Sequence, residues 1–163
     1  MAQAFAQYKS PVGVLKVWAD DVGLTSLEWR LRVLNDLNDE PPVPSAALDI
    51  ANAAVAQLDE YFAGTRQEFD LPLSPRNSQF KQAFSQALCD IPFGETRQYG
   101  DLAKDLGVSA QAIGQACGGN PIAIIVPCHR VLAANGLGGF SGAGGVEAKV
   151  WLLKHEGAAS LLI

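Results

Sequence analysis

The chain has 163 residues, 48% of them hydrophobic and 18% charged, with three cysteines and a net charge of −5. This length suits one large domain or two small ones, with ample apolar content for a core. No apolar run reaches the ~18 residues of a membrane span, Met1 to Ala6 lacks the basic flank and apolar stretch of a signal peptide, and three cysteines point to reduced thiols in a cytoplasmic protein rather than a disulfide framework.

In chain order, Gly13 to Trp18 and Gly23 to Trp29 read as two strands, with Asp20-Asp21-Val22-Gly23 as the hairpin turn between them. A proline-rich stretch from Asn35 to Ser45 reads as loop. Ala46 to Phe62 is a predicted helix, with Leu48, Ala51, Val55, Leu58 and Phe62 recurring at spacings of three and four. Ser45 is its cap and Gly64 its stop. Leu71 to Asn77, with Pro72 and Pro75, reads as a linker. The predicted domains are therefore 1–75, a small α+β unit, and 76–163, which is mostly helical.

In the second domain, Ser78 caps a predicted helix from Gln79 to Cys89, with Phe80, Ala83, Phe84, Ala87 and Leu88 inward. Ile91 to Gly94 is a turn. Tyr99 to Leu106 and Ala110 to Cys117 are two short helices separated by Gly107 and capped at Ser109, the form of a helix-turn-helix. Most such helix pairs bind no DNA, so spacing alone favours a pair that merely packs closely. Ile122 to Val126, between two prolines, reads as a buried extended segment. Asn135 to Gly145 is a glycine-rich loop, and Val146 to Glu156 is the last helix. Charge divides unevenly: residues 1–75 carry five basic and eleven acidic side chains, residues 76–163 seven and six. The second domain can approach phosphate without heavy self-repulsion, yet it is no basic patch, so shape must supply much of any DNA binding.

The sharpest chemical feature is Pro127-Cys128-His129-Arg130. Positive charge nearby favours the thiolate, which is the nucleophile; an inert buried cysteine is the alternative. In an extended segment, side chains 128 and 129 point to opposite faces, so His129 would act on Cys128 through a water. A carboxylate should fix the imidazole tautomer, and Glu156 is the candidate. Arg130 is expected to pair with a carboxylate of the first domain. No cysteine or histidine pair has metal-ligand spacing, and the glycines of 136–145 lack the order of a phosphate loop, so no metal or cofactor is expected.

Together, Ile124-Ile125-Val126-Pro127-Cys128-His129-Arg130, Ile91-Pro92-Phe93-Gly94-Glu95-Thr96, Tyr99 to Ala103, Gly119-Asn120-Pro121, Gly138 to Gly142 and Trp151 to Gly157 resemble the O6-alkylguanine-DNA alkyltransferases, also called methylated-DNA–protein-cysteine methyltransferases. The likeness covers about residues 78–157; the first half matches more loosely, through its strand-strand-helix pattern and Ser10-Pro11-Val12-Gly13. It implies an α+β fold with a ribonuclease-H-like first domain and a helix-turn-helix in the second. It implies DNA repair by one irreversible transfer of an alkyl group from guanine O6, with O4-alkylthymine a further substrate, to Cys128. The implied catalytic set is Cys128, His129, Glu156, Asn120 and Tyr99. The implied pocket is Tyr99, Cys117, Val131 and Ser141, and the DNA-binding set is Thr96, Arg97, Gln98, Ala110, Gln111, Ala112 and Gln115. The implied partner is double-stranded DNA entered from the minor groove by a monomer without a cofactor, in the cytoplasm and, in a bacterium, at the nucleoid.

One departure matters. The family places an arginine on the recognition helix to fill the gap left by an everted base, and this chain has Gln111 there, which lacks the charge and the bidentate fork. Weaker DNA binding is expected, or Gln115 as the gap-filler. The loop through Ala143, Gly144 and Gly145 is slightly longer than in compact members. Three other readings compete: a lesion binder without chemistry, a cysteine hydrolase built on Cys-His-Glu, and a helix-turn-helix regulator.

Overall fold

A computed structural model describes residues 3–30, 43–134, 136–140 and 145–158. The chain divides into two compact units, Met1–Pro75 and Arg76–Ile163.

The N-terminal unit is an antiparallel sheet in the order β1 (Ala4–Ser10), β2 (Gly13–Ala19), β3 (Leu24–Arg30), covered by helix α1 (Ala46–Phe62). The sequence reading missed β1. It pairs with β2 along its whole length, from Ala4 opposite Ala19 to Ser10 opposite Gly13. Its alternating residues carry few large aliphatic side chains, which is why it escapes a search for apolar runs. Central β2 buries Val14, Leu15, Lys16 and Val17 in succession. The Lys16 ammonium lies 3.9 Å from the centroid of the Phe5 ring, which pairs it with an aromatic face. Asp20 closes the β2–β3 turn, its Oδ1 accepting from the backbone N–H groups of Val22 and Gly23. The expected linker is partly structured. Leu24 N–H donates to the Pro72 carbonyl and Ser74 N–H to the Leu24 carbonyl, adding a short parallel bridge at Leu73 to the edge of β3.

Helix α1 has the bounds and the Ser45 cap that its pattern predicts; Ser45 Oγ accepts from Leu48 N–H at 3.1 Å. Its inward face differs. Ala47, Ala51, Ala54, Leu58 and Tyr61 are buried, while Leu48, Val55 and Phe62 lie at the margins of the stripe. Alanines on the inner line let the helix backbone approach the sheet closely, and the larger side chains then fill the flanks.

The C-terminal unit contains α2 (Gln79–Cys89), β4 (Arg97–Gln98), α3 (Tyr99–Leu106), α4 (Ala110–Gly118), a 3-10 turn at Cys128–Arg130, β5 (Val131–Leu132) and α5 (Gly145–His155). Ser78 and Ser109 cap α2 and α4 through their hydroxyls, and Gln98 N–H bonds the Asp101 carboxylate at the start of α3. Helices α3 and α4 pack together across Gly107 as a helix-turn-helix. Strands β4 and β5 pair in parallel, placing Arg97 beside Val131 and Gln98 beside Leu132. This short ladder joins the start of α3 to the exit of the cysteine segment.

One expectation fails here. Residues 122–126 are buried but not extended. They form successive tight turns, with Val126 N–H bonded to the Ile122 carbonyl and Ile124 at φ 73°. Among the described residues no strand lies beside this run to satisfy its backbone groups, so they bond one another and the Asn120 side chain instead.

Gly13 turns the β1–β2 hairpin at φ 129°, and a Cβ there would stand 2.5 Å from the Arg30 carbonyl oxygen. Gly13→Ala is therefore expected to destabilise the N-terminal unit by about 2 kcal/mol, measured as a shifted urea midpoint with an unchanged slope; an unshifted midpoint would mean that the hairpin relaxes freely.

Candidate active site

The Pro127-Cys128-His129-Arg130 segment is held from three directions. Asn120, just after α4, spans the preceding loop: its Nδ2 donates to the Val126 carbonyl at 2.8 Å, and its Oδ1 accepts from Ile122 N–H at 3.1 Å. Within the segment, Cys128 N–H bonds the Val126 carbonyl and Arg130 N–H the Pro127 carbonyl. From the far end, Glu156, immediately after α5, receives the side chains of His129 and Arg130.

That last arrangement is the electrostatic centre of the unit. Glu156 Oε2 lies 2.8 Å from His129 Nε2 and 3.0 Å from Arg130 Nη2, while Oε1 accepts from Arg130 Nε at 2.8 Å. All three residues are buried, His129 at 0% exposure. The third arm of the guanidinium, Nη1, donates to the Ile91 carbonyl at 2.7 Å. Arg130 therefore finds its carboxylate within its own unit, not in the first domain as expected, because its side chain is turned inward rather than to the surface. Burial alone would raise the Glu156 pKa, but the hydrogen bonds and charges of His129 and Arg130 outweigh it and bring it down to about 2. His129 is pushed down from its ordinary value by burial, with Arg130 and Lys149 adding to this against the pull of Glu156.

Tautomer and role follow from these shifts. An ionised carboxylate only accepts, so the neutral ring must carry its proton on Nε2. Nδ1 then bears a lone pair. It is buried and has no hydrogen-bond partner among the described residues. The cysteine and its neighbour are on a 3-10 turn, not the extended chain expected. Successive side chains there diverge by about a third of a turn, and the absence of a direct thiol–imidazole bond agrees with that.

Cys128, 3% exposed, forms part of the wall of a cavity of about 430 Å³ with Tyr99, Gly114, Cys117, Gly118, Gly139 and Phe140. The two pocket cysteines differ in surroundings. Burial, then the nearness of Cys128, pushes the Cys117 thiol up to about 12, so it stays protonated at neutral pH. Burial also raises the Tyr99 phenol, leaving its hydroxyl a hydrogen-bond donor. Gly138, at φ 73°, gives that hydroxyl room: a Cβ at 138 would stand 2.7 Å from it.

Of the implied pocket, Tyr99 and Cys117 face the cavity. Val131 does not line it; its carbonyl accepts from Lys149 Nζ at 2.7 Å. Ser141 lies outside the described residues. In the implied DNA-binding set, Gln98, Ala110, Gln111 and Gln115 are exposed, and Thr96, Arg97 and Ala112 half-buried. The Arg97 guanidinium is engaged by Asp105 at 2.7 Å. The sequence reading missed Lys149 altogether. It is fully buried, bonds the Val131 and Gly139 carbonyls, and has its ammonium 5.9 Å from the Tyr99 ring centroid. Its position one turn before Leu152 and Leu153, on the inward stripe of α5, was the available signal. Among the described residues no group of three or more His, Cys, Asp or Glu side chains is placed to hold a metal ion, and no helix is long and apolar enough to cross a membrane.

Fold and site together define a class: a helix-turn-helix protein with a cysteine, backed by a carboxylate-bound histidine, set directly behind its second helix. The particular family follows from comparison with known proteins. Residues 4–75 match the ribonuclease-like domain of 6-O-methylguanine DNA methyltransferase, and residues 79–158 match its DNA binding domain. A methylated-DNA–protein-cysteine methyltransferase of Methanosarcina acetivorans is 39% identical over 94% of this chain and 98% of its own. The crystal structure of Mycobacterium tuberculosis O6-methylguanine methyltransferase superposes with a TM-score of 0.76 at 40% identity, covering 96% of this chain and 94% of that one. A structure of the M. tuberculosis protein in complex with DNA gives 0.74 at 40% identity, covering 94% and 92%. The chain belongs to the O6-methylguanine DNA methyltransferase family, and its α+β fold pairs a ribonuclease-like domain with a DNA-binding one.

The buried triad sets a pH dependence. With Glu156 held at about 2 and His129 below 6.5, the unfolded chain takes up protons that the native chain resists. Their stabilisation is complete above the ordinary histidine value, begins to fall as pH drops through it, and falls further from 4.5 toward 2. Glu156→Gln should cost about 3 kcal/mol at neutral pH, since Arg130 loses its counter-charge, and should flatten the acid limb. Urea denaturation as a function of pH tests this; an acid limb as steep as wild type would remove Glu156 as its source.

Proposed function

We propose that this protein repairs DNA by moving an alkyl group from guanine O6 to the sulfur of Cys128, once per molecule. The observation that carries the residue assignment is the His129–Glu156 pair, which leaves a lone pair on Nδ1 of the residue that follows the cavity cysteine Cys128 in the chain. Helix α4 enters the minor groove of double-stranded DNA, where its small side chains permit close approach, and the alkylated nucleotide turns out of the stack into the cavity. A water relays the Cys128 proton to His129 Nδ1, and the imidazolium formed is stabilised by Glu156. The thiolate attacks the alkyl carbon in line, so that the sulfur–carbon bond forms as the carbon–oxygen bond breaks. The purine leaves as the O6 anion, assisted by the Tyr99 hydroxyl as donor. The thioether has no competent leaving group, so no second turnover follows.

Asn120 is a positioning residue that holds the loop before the cysteine. Among the described residues His129 Nδ1 has no hydrogen-bond partner, Cys128 included, which leaves the cysteine-hydrolase alternative without the thiol–imidazole contact it needs. The presence of Cys128 counts against a lesion binder without chemistry. In this reading a monomer acts on chromosomal DNA in the cytoplasm, at the nucleoid in a bacterium.

Incubation with a duplex containing O6-methylguanine should add one methyl group to the intact protein, mapped to Cys128, and Cys128→Ala should abolish transfer while retaining DNA binding. Transfer at the wild-type rate by Cys128→Ala, or an unmodified Cys128 in wild type, would sink the assignment. Gln111 is exposed and in this reading fills the gap in the stack, so Gln111→Arg should tighten duplex binding about tenfold by adding one charge-assisted contact. Unchanged affinity in a binding titration would assign gap-filling to Gln115 or another side chain.

A further inference from the structure

Helix α4 has two working faces. Gly114, Cys117 and Gly118 form part of the thiol cavity. Ala112, Gln115 and Ala116 line a second cavity of about 330 Å³, across from Arg76, Ser78 and Lys81 at the start of α2. Among the described residues no carboxylate lines this second cavity. Its position raises a question of charge. Helix α4 itself, AQAIGQACG, carries no basic residue, yet duplex binding draws most of its non-specific affinity from cations on phosphates.

The unit offers seven basic side chains. Arg130 and Lys149 are buried and committed to Glu156, Ile91, Val131 and Gly139. Arg97 is bound to Asp105. Lys104 and Lys154 stand near the C-terminal ends of α3 and α5 and line neither cavity. Arg76 and Lys81 remain, with no ion pair among the described residues, and they share one groove against α4. The Gln82 side chain donates to the Arg76 carbonyl at 3.3 Å and ties that residue to the first turn of α2. The N-terminal end of α2, capped by Ser78, adds its partial positive charge in the same place.

We propose that this groove seats backbone phosphates of the bound duplex, with Arg76 and Lys81 as the principal cations. The electrostatic grip that the recognition helix lacks is thereby supplied from α2, on the opposite side of α4 from the thiol. The inference rests on duplex DNA being the partner, as argued above. Because phosphates carry no sequence information, the groove holds damaged and undamaged DNA alike.

Fluorescence anisotropy of undamaged and O6-methylguanine duplexes across a range of salt concentrations tests this. For the double variant Arg76→Ala, Lys81→Ala, the slope of log affinity against log salt should fall by about 2, with equal weakening on both duplexes. Arg76→Lys with Lys81→Arg should keep the wild-type slope. Lys81→Gln alone, at an exposed position, should lower it by about 1, which covers the case of a double variant that misfolds. A wild-type slope in Lys81→Gln and in a folded double variant would overturn the inference and leave the repair reading standing. Failure of the wild-type protein to bind any duplex would overturn both.

Discussion

A single carboxylate buried away from water organises the C-terminal unit. Glu156 is costly to bury alone and stable only because a guanidinium and an imidazole meet it from the same turn. The two partners do different work. Arg130 keeps the carboxylate ionised and, through the Ile91 carbonyl, pins the turn ahead of β4. His129 binds the same carboxylate, and its proton is thereby fixed on Nε2. Segments around residues 91, 129 and 156, distant in sequence, are locked into one geometry by this one charge.

The pocket is then assembled from what that lock leaves fixed. The 3-10 turn presents Cys128, the β4–β5 ladder sets the start of α3 and so Tyr99, and α4 supplies a wall of small residues. Lys149 stitches the exit of the cysteine turn to the glycine loop by bonding one carbonyl from each. Burying a lysine is costly unless its donors find acceptors, and these two carbonyls are what tie the loop's position to that of the turn. The family relationship accounts for the pairing of the two domains; the local physics accounts for how these side chains hold the cavity's wall in place.

Much of this was legible in the residues. Capping serines at 45, 78 and 109, with Gly107 in the turn between two helices, marked the helix starts and the helix-turn-helix, because caps are local chemistry. The likeness to a known family pointed to Cys128, His129, Glu156, Asn120 and Tyr99, and the structure brings Glu156 to His129, Tyr99 to the Cys128 cavity and Asn120 to the loop before it. What escaped was non-local. Strand β1 depends on a partner that its own composition does not announce. The turns of 122–126 depend on an asparagine side chain standing in for a neighbouring strand. The carboxylate that Arg130 pairs with lies in its own unit rather than in the first domain, which no local pattern marks, and Lys149 was hidden by the ordinary expectation that lysines are solvated.

Three glycines, Gly114, Gly118 and Gly139, form part of the cavity wall, and a side chain built on any of them would extend into open space. A wall made of main chain is already at its thinnest. Every point mutation there adds bulk, so sequence drift at these positions is a one-way ratchet toward a tighter fit. Room in the cavity, once lost at such a wall, returns only by reversion to glycine or by remodelling the chain itself.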